Sequence, residues 1–155
     1  MLAAGFAGFA TVPLRATAGQ CEALALTCID YRLVDAAVRF FARRHLTGDY
    51  DQLSLAGASL AAVSPKFPSS NRAFWDHVEI AKTLHHVGKL VVLDHRDCGA
   101  YRVAFGSKFA SGGAPETAQH EAVMRALKTE LKKRHPDLVP EFYLMALDGS
   151  AERLL

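Results

Sequence analysis

Leu90-Val91-Val92-Leu93 is apolar at every position, and that continuity restricts the folds open to this chain. A strand with one solvated face alternates apolar and polar residues, so an unbroken run belongs to a strand covered on both faces, the usual situation in a parallel sheet flanked by helices. We read this strand over residues 89–94. It stops abruptly in His95-Arg96-Asp97-Cys98-Gly99. A second compact apolar run, Leu24-Ala25-Leu26-Thr27, stops in the same way in Cys28-Ile29-Asp30-Tyr31-Arg32, and is read as a strand over residues 22–27.

Elsewhere the apolar period changes. Leu33, Val34, Ala37, Val38, Phe41 and Ala42 recur at helical spacing with Arg39, Arg43 and Arg44 opposite them, which predicts a helix over 33–46. A strand over 51–56 follows, then Gly57-Ala58-Ser59 and a Pro/Ser-rich loop through Pro65, Pro68 and Ser70. Asn71 is placed to cap a helix that carries Phe74, Trp75, Val78, Ile80, Ala81 and Leu84 and stops at Gly88. Beyond the 89–94 strand, a short helix is expected over 101–109 and a glycine break at Gly112-Gly113. Pro115 opens a long helix that ends near Arg134, before His135-Pro136. A strand over 141–147, the turn Asp148-Gly149 and a short edge strand over 152–155 complete the reading.

Strand and helix alternate throughout, so the expected class is α/β: an open, mostly parallel sheet of four to five strands with helices on both faces. Ligands of such sheets bind beyond the carboxyl ends of the strands, where the strand order reverses. Cys28 and His95 both stand at such ends, so two motifs far apart in sequence are expected to face one pocket.

The chain has 155 residues, half of them hydrophobic, enough for one domain with a single core. Its formal charge of +2 is scattered; the densest basic run, residues 128–134, is interrupted by Glu130 and reads as a solvated helix face, so no nucleic-acid partner is expected. Residues 2–12 are almost wholly apolar, too short to span a membrane as a helix, and Ala16-Thr17-Ala18 supplies a small-x-small pattern ahead of Gly19. We therefore expect residues 1–18 to be a truncated export signal and residues 19–155 to be a single α/β domain that works in the periplasm or otherwise outside the cytoplasm. The alternative is an N-terminal arm packed on a cytoplasmic domain or on a partner subunit.

Cys21, Cys28 and Cys98 cannot all pair within one chain, which leaves metal ligation to compete with disulfide bonding. Two thiolates and one imidazole, from Cys28, Cys98 and His95, form a ligand set that favours zinc, and three protein ligands leave a tetrahedral ion one open position for water. Asp30 and Arg32 lie in the same loop as Cys28 and can pair in a planar, two-bond geometry. Held by Arg32, Asp30 would accept a hydrogen bond from water at the metal; released, it could take the fourth position itself.

Cys28-x-Asp30-x-Arg32 followed by His95-x-x-Cys98-Gly99 resembles the signature of beta-class carbonic anhydrases, over a region from about Cys21 to the end. The resemblance implies zinc bound by Cys28, His95 and Cys98, with Asp30 and Arg32 as the catalytic pair. It further implies reversible hydration of carbon dioxide to bicarbonate by zinc-bound hydroxide, in homodimers or higher assemblies. Ser54-Leu55-Ala56-Gly57 stands where family members commonly carry Arg-Asn-Ala-Gly, and Tyr31 stands where a serine is usual. These departures leave the ligand set intact and bear on substrate choice. The alternatives are hydrolysis of carbonyl sulfide or carbon disulfide at the same site, and a non-catalytic zinc-binding or assembly protein whose site Asp30 closes.

Lesser expectations attach to other residues. His85 and His86 suit the carboxyl end of a helix, with proton shuttling as the alternative. Asp97 either relays protons or faces solvent. Phe67, Phe74 and Trp75 are expected in the core or at a subunit contact, and Cys21 as a buried free thiol.

Overall fold

The structure, a computed structural model, describes residues 19–155; the expected leader, residues 1–18, lies outside the described residues. Five strands, β1 (Ala23–Thr27), β2 (Tyr50–Ser54), β3 (Lys89–His95), β4 (Val139–Met145) and β5 (Ala151–Arg153), form one sheet in the order β2-β1-β3-β4-β5. All neighbours are parallel except β4 and β5, which pair antiparallel. The expected open, mostly parallel α/β sheet is therefore observed.

Five helices connect these strands: α1 (Val34–Arg43), α2 (Ser59–Val63), α3 (Pro68–His85), α4 (Gly99–Phe105) and α5 (Gly113–Arg134). The unbroken apolar runs have the consequence their pattern demands, because successive side chains of a strand point to opposite faces. Leu24, Leu26, Leu90 and Val92 pack with Phe74, Trp75 and Val78 of α3 and Met124, Leu127 and Leu131 of α5. Ala23, Ala25, Val91 and Leu93 pack on the other face with Ala36, Phe40 and Phe41 of α1. Burying each such leucine side chain contributes roughly 1.5–3 kcal/mol, so the two central strands anchor both layers. Phe74 and Trp75 are core residues, as expected.

Several boundaries differ from the sequence reading. The Pro/Ser-rich loop contains α2, and α3 begins at Pro68 rather than at Asn71. A proline is well suited to the first helical position, where its missing N–H would have no intrahelical acceptor. Asn71 lies inside α3 instead, where its side-chain amide donates to the Ala62 carbonyl and ties α3 to α2. The same helix ends at His85 and is capped by His86, which adopts a left-handed conformation with φ of 53° two residues before Gly88. The helix expected over 101–109 starts earlier, at Gly99, and gives way to a 3-10 turn over Gly106–Lys108. A 3-10 turn over Tyr31–Leu33 likewise precedes α1.

From β1 the chain crosses to β2 on one side and then to β3 on the other. The strand order reverses between β1 and β3, and the crevice beyond their carboxyl ends is where such sheets bind ligands. Thr27 lies opposite Leu93 in that pair, so Cys28 and His95 emerge side by side.

Candidate metal centre

Cys28 follows the last residue of β1, His95 is the last residue of β3, and Cys98 immediately precedes α4. One ligand atom from each lies within 4.8 Å of the other two. The two sulfurs are 3.9 Å apart, close to the separation of about 3.8 Å expected for two thiolates held at ~2.3 Å by one tetrahedral ion. His95 is buried, and its Nδ1 lies 2.8 Å from the Arg96 carbonyl oxygen. With the proton on Nδ1 donated to that carbonyl, Nε2 presents its lone pair to the sulfurs. Nε2 is buried without a hydrogen-bond partner among the described residues. An orphaned buried nitrogen is costly unless something binds it. A divalent metal fits that requirement, and second-motif geometry supplies the fixed tautomer common to histidine ligands.

Electrostatics point the same way. A hydrogen bond from Cys98, assisted by contacts with His95 and with the Gly57 amide, holds the Cys28 thiol well below its usual range. The same pairing, together with burial, pushes Cys98 up. Burial alone would lower the His95 pKa, but its contacts with Cys28 outweigh that and raise it. The donor set is thus already polarised toward thiolate at Cys28.

Gly57, read from sequence only as a turn residue, also contributes directly to the site. Its N–H donates to Cys28 Sγ at 3.3 Å, and its φ of +87° is the left-handed region open chiefly to glycine. A Cβ here would stand 3.1 Å from Ala100 Cβ and 3.2 Å from Leu60 Cβ. The glycine therefore serves both the turn and the close approach of backbone to sulfur.

Asp30 caps the 3-10 turn by accepting the Arg32 N–H. Its carboxylate also receives two parallel bonds from the Arg32 guanidinium, Nε to Oδ1 at 2.9 Å and Nη2 to Oδ2 at 2.8 Å. These bonds hold the Asp30 carboxyl down to about 2. Asp30 Oδ2 lies 3.8 Å from His95 Nε2, on the edge of the ligand group without belonging to it. Arg32 is gripped from its other side by Asp97, through Oδ2 at 3.1 Å and the backbone carbonyl at 3.2 Å. Asp97 is therefore part of an ion-pair chain and not a free surface carboxylate.

That chain reaches deeper. The Asp97 N–H donates to Glu116 Oε1 at 2.6 Å, and the Gly112 N–H donates to Oε2 at 2.9 Å. Glu116, on α5, is almost fully buried. It fixes a loop in which Asp97 itself has a positive φ of 56°. A second buried network lies one residue before His95. Asp94 accepts the Ser59 N–H at 2.9 Å, the Ser59 hydroxyl at 2.6 Å, the Tyr101 hydroxyl at 2.8 Å and His120 Nδ1 at 2.9 Å. It ties α2, α4 and α5 to the strand that carries the imidazole.

Ile29, Tyr31, Ala56, Phe67, Ala100 and Val103 surround Cys28 and Asp30 with a mostly apolar open hollow of about 480 Å³. Phe67 packs partly against the buried cluster of Leu60, Cys98, Tyr101 and Val123 and at the same time forms a wall of this hollow. His85 pairs with Asp51 beside Cys21, whose N–H donates to the His85 carbonyl at 3.0 Å. Cys21 and Cys28 flank β1, about 23 Å apart at ~3.3 Å per extended residue. His85 thus sits at the opposite end of the sheet from Cys28, not where a shuttle would stand.

Two relatives, from Rickettsia conorii and Rickettsia bellii, are uncharacterised proteins. Each is 33% identical over 138 residues, which is 89% of this chain and 74% and 84% of the respective relatives. The fold is similar to that of a carbonic anhydrase from Streptococcus mutans, with a TM-score of 0.58 and 21% identity over 96% of this chain and 88% of that one. A β-carbonic anhydrase of Aspergillus fumigatus matches at a TM-score of 0.51 and 18% identity, over 88% of this chain and 76% of that one. One of two tetrameric β-carbonic anhydrases from Sordaria macrospora matches at 0.50 and 17%, over 88% and 82%. The family model described as putative carbonic anhydrase matches residues 18–135, and with the fold and the two motifs this makes the chain a divergent member of that family.

Proposed function

We propose that this protein binds zinc through Cys28, His95 and Cys98 and catalyses the reversible hydration of carbon dioxide to bicarbonate. The observation that carries the reading is the buried, unpartnered Nε2 of His95 facing two thiol sulfurs, with the Asp30–Arg32 pair at its edge. When bound, zinc supplies Lewis acidity that lowers the pKa of water toward neutrality, although two thiolates make it a weaker acid than three imidazoles would.

The chain's own residues supply the rest. The carboxyl of Asp30, held down to about 2 by Arg32, stays ionised at neutral pH and is too weak a base to store the reaction's proton. It acts as an acceptor that orients the attacking water through Oδ2, while Arg32 keeps both carboxylate oxygens in plane. Asp97 and, behind it, Glu116 hold Arg32 in place. Carbon dioxide, being small and apolar, is received by the hollow formed by Ala56, Phe67, Ala100 and Val103. One water and one carbon dioxide yield bicarbonate and a proton, which passes to buffer.

Both oxygens of Asp30 are already engaged by Arg32, which favours the open arrangement over one in which Asp30 closes the site. Ile29, Tyr31 and Val103 are exposed around the hollow. Contiguous apolar residues of this kind favour burial against another copy, and the tetrameric Sordaria enzymes lend support to a homo-oligomer. Residues 1–18 remain proposed as an export leader.

The test is stopped-flow carbon dioxide hydration by zinc-loaded protein, with Asp30→Ala and Cys98→Ser beside it. Asp30→Ala should lose turnover and keep zinc; Cys98→Ser should lose zinc. Turnover of carbonyl sulfide or carbon disulfide without carbon dioxide hydration would move the assignment to hydrolysis at the same site.

A further inference from the structure

At the amino-terminal edge of the sheet, Cys21, Asp51 and His85 bring a sulfur, a carboxylate oxygen and an imidazole nitrogen within 4.8 Å of one another. They come from three separate segments: the lead-in to β1, strand β2 and the last residue of α3. From this juxtaposition we infer a second metal site, distinct from the one at Cys28, that takes a divalent transition metal of zinc's type.

The geometry is held by the backbone. The Cys21 N–H donates to the His85 carbonyl at 3.0 Å and the Glu22 N–H to the Asp49 carbonyl at 3.1 Å, so the lead-in is registered against both α3 and the turn before β2. His85 Nδ1 lies 2.7 and 2.9 Å from the two Asp51 oxygens. Coordination through these atoms needs the imidazole and carboxylate to part by roughly half an ångström, since ligands at ~2.0–2.1 Å from a tetrahedral ion stand about 3.3 Å apart. Side chains exposed to 43% and 29% can make that adjustment.

The donor chemistry selects the metal class. One thiolate, one imidazole and one carboxylate suit zinc and its neighbours better than the all-oxygen cations calcium and magnesium. The local field suits a cation as well. Asp49 and Asp51 both face the Cys21 thiol, and among the described residues neither carboxylate pairs with a lysine or arginine. Lys89, the nearby cation, is engaged by Glu22 and Glu141.

Two other uses of this cluster fit less well. A disulfide is out of reach, because Cys28 and Cys98 lie at the other end of β1. A Cys-His-Asp nucleophile needs a depressed thiol pKa, whereas burial, first, and the charge of Asp51 push Cys21 up. Metal binding through His85 Nδ1 would instead release the thiol proton to solvent, leave the neutral imidazole's N–H on Nε2, and clamp the lead-in of β1 onto α3 and β2. The clamp is structural, and it stabilises the folded state by mass action.

The experiment uses the full chain, stripped by chelator and titrated with zinc alone, with bound metal counted after gel filtration and melting followed by circular dichroism. Wild type should bind a second equivalent that raises Tm by several degrees. Cys21→Ser and His85→Ala should each lose that equivalent and its Tm increment while keeping carbon dioxide hydration unchanged, and Cys28→Ser should lose the other equivalent and keep this one. Wild type saturating at a single equivalent that Cys28→Ser removes would overturn the inference, as would Cys21→Ser and His85→Ala both retaining the wild-type stoichiometry and melt. Failure at the Cys28 site alone would leave the Cys21 equivalent in place, so the two readings fail separately.

Discussion

Asp30 and Arg32 are joined by two parallel hydrogen bonds of 2.9 and 2.8 Å, and Arg32 is held from behind by Asp97 at 3.1 Å. Arg32→Lys puts a single point charge where a planar fork now meets both oxygens. Activity should fall by about ten- to a hundredfold while bound metal stays constant. Equal loss of metal and activity would mean that Arg32 acts on the ligands and not on Asp30.

The same pair predicts a stability change in acid. The folded-state pKa of Asp30 is depressed, to about 2, below the ordinary carboxylate value of about 4. Its contribution is therefore present above pH ~4 and disappears as pH falls toward ~2. Arg32→Ala removes the cause of the depression. The difference in urea midpoint between wild type and this variant should shrink across that window; a difference that holds constant from neutrality to pH 2 contradicts the sign.

Gly57→Ala introduces a Cβ at a positive φ and 3.1 Å from Ala100 Cβ. The strain costs about 1–3 kcal/mol, and displacement of the N–H from Cys28 Sγ weakens metal retention. Chelator competition should show faster zinc loss from the variant at a temperature where both proteins are folded.

Asp94→Ala leaves the Ser59 N–H and His120 without their acceptor, and leaves the Ser59 and Tyr101 hydroxyls, 3.1 Å apart, with only each other. Each unsatisfied buried group costs about 1–3 kcal/mol, so the total loss should be at least about 3 kcal/mol in chemical denaturation. A loss under about 1 kcal/mol would show that these groups find other partners when Asp94 is removed.

The convergence of Cys28, His95 and Cys98 was legible in the sequence because its signal is local. Apolar runs such as Leu90-Val91-Val92-Leu93 report burial on both faces, and a chemical residue at the end of such a run must stand at the carboxyl edge of the sheet. Cys28, His95 and Cys98 meet as that argument requires, and the Asp30–Arg32 pair forms because two residues of one turn can reach each other. Gly57, Glu116 and Asp94 carry no comparable mark. Gly57 acts through a backbone N–H, which no side-chain pattern reports. Glu116 reaches the Asp97 loop from helix α5. Asp94 did leave one signal, since a carboxylate at the end of a doubly covered strand demands partners, yet nothing in the sequence says that these are Ser59, Tyr101 and His120. Helix α2 was hidden for a related reason: five residues after a positive-φ turn are too few to show a period.

The central claim is that the ligand set at the β1 and β3 ends makes a metal-dependent carbon dioxide hydratase in which Asp30 acts without binding the metal. Carbon dioxide hydration and zinc content measured together, on wild type and Asp30→Ala, test it most directly. The account predicts an active wild type and a variant that keeps its zinc at this site but loses activity by about a thousandfold. An inactive, fully zinc-loaded wild type, or an Asp30→Ala variant that hydrates carbon dioxide as fast as the wild type, would contradict it.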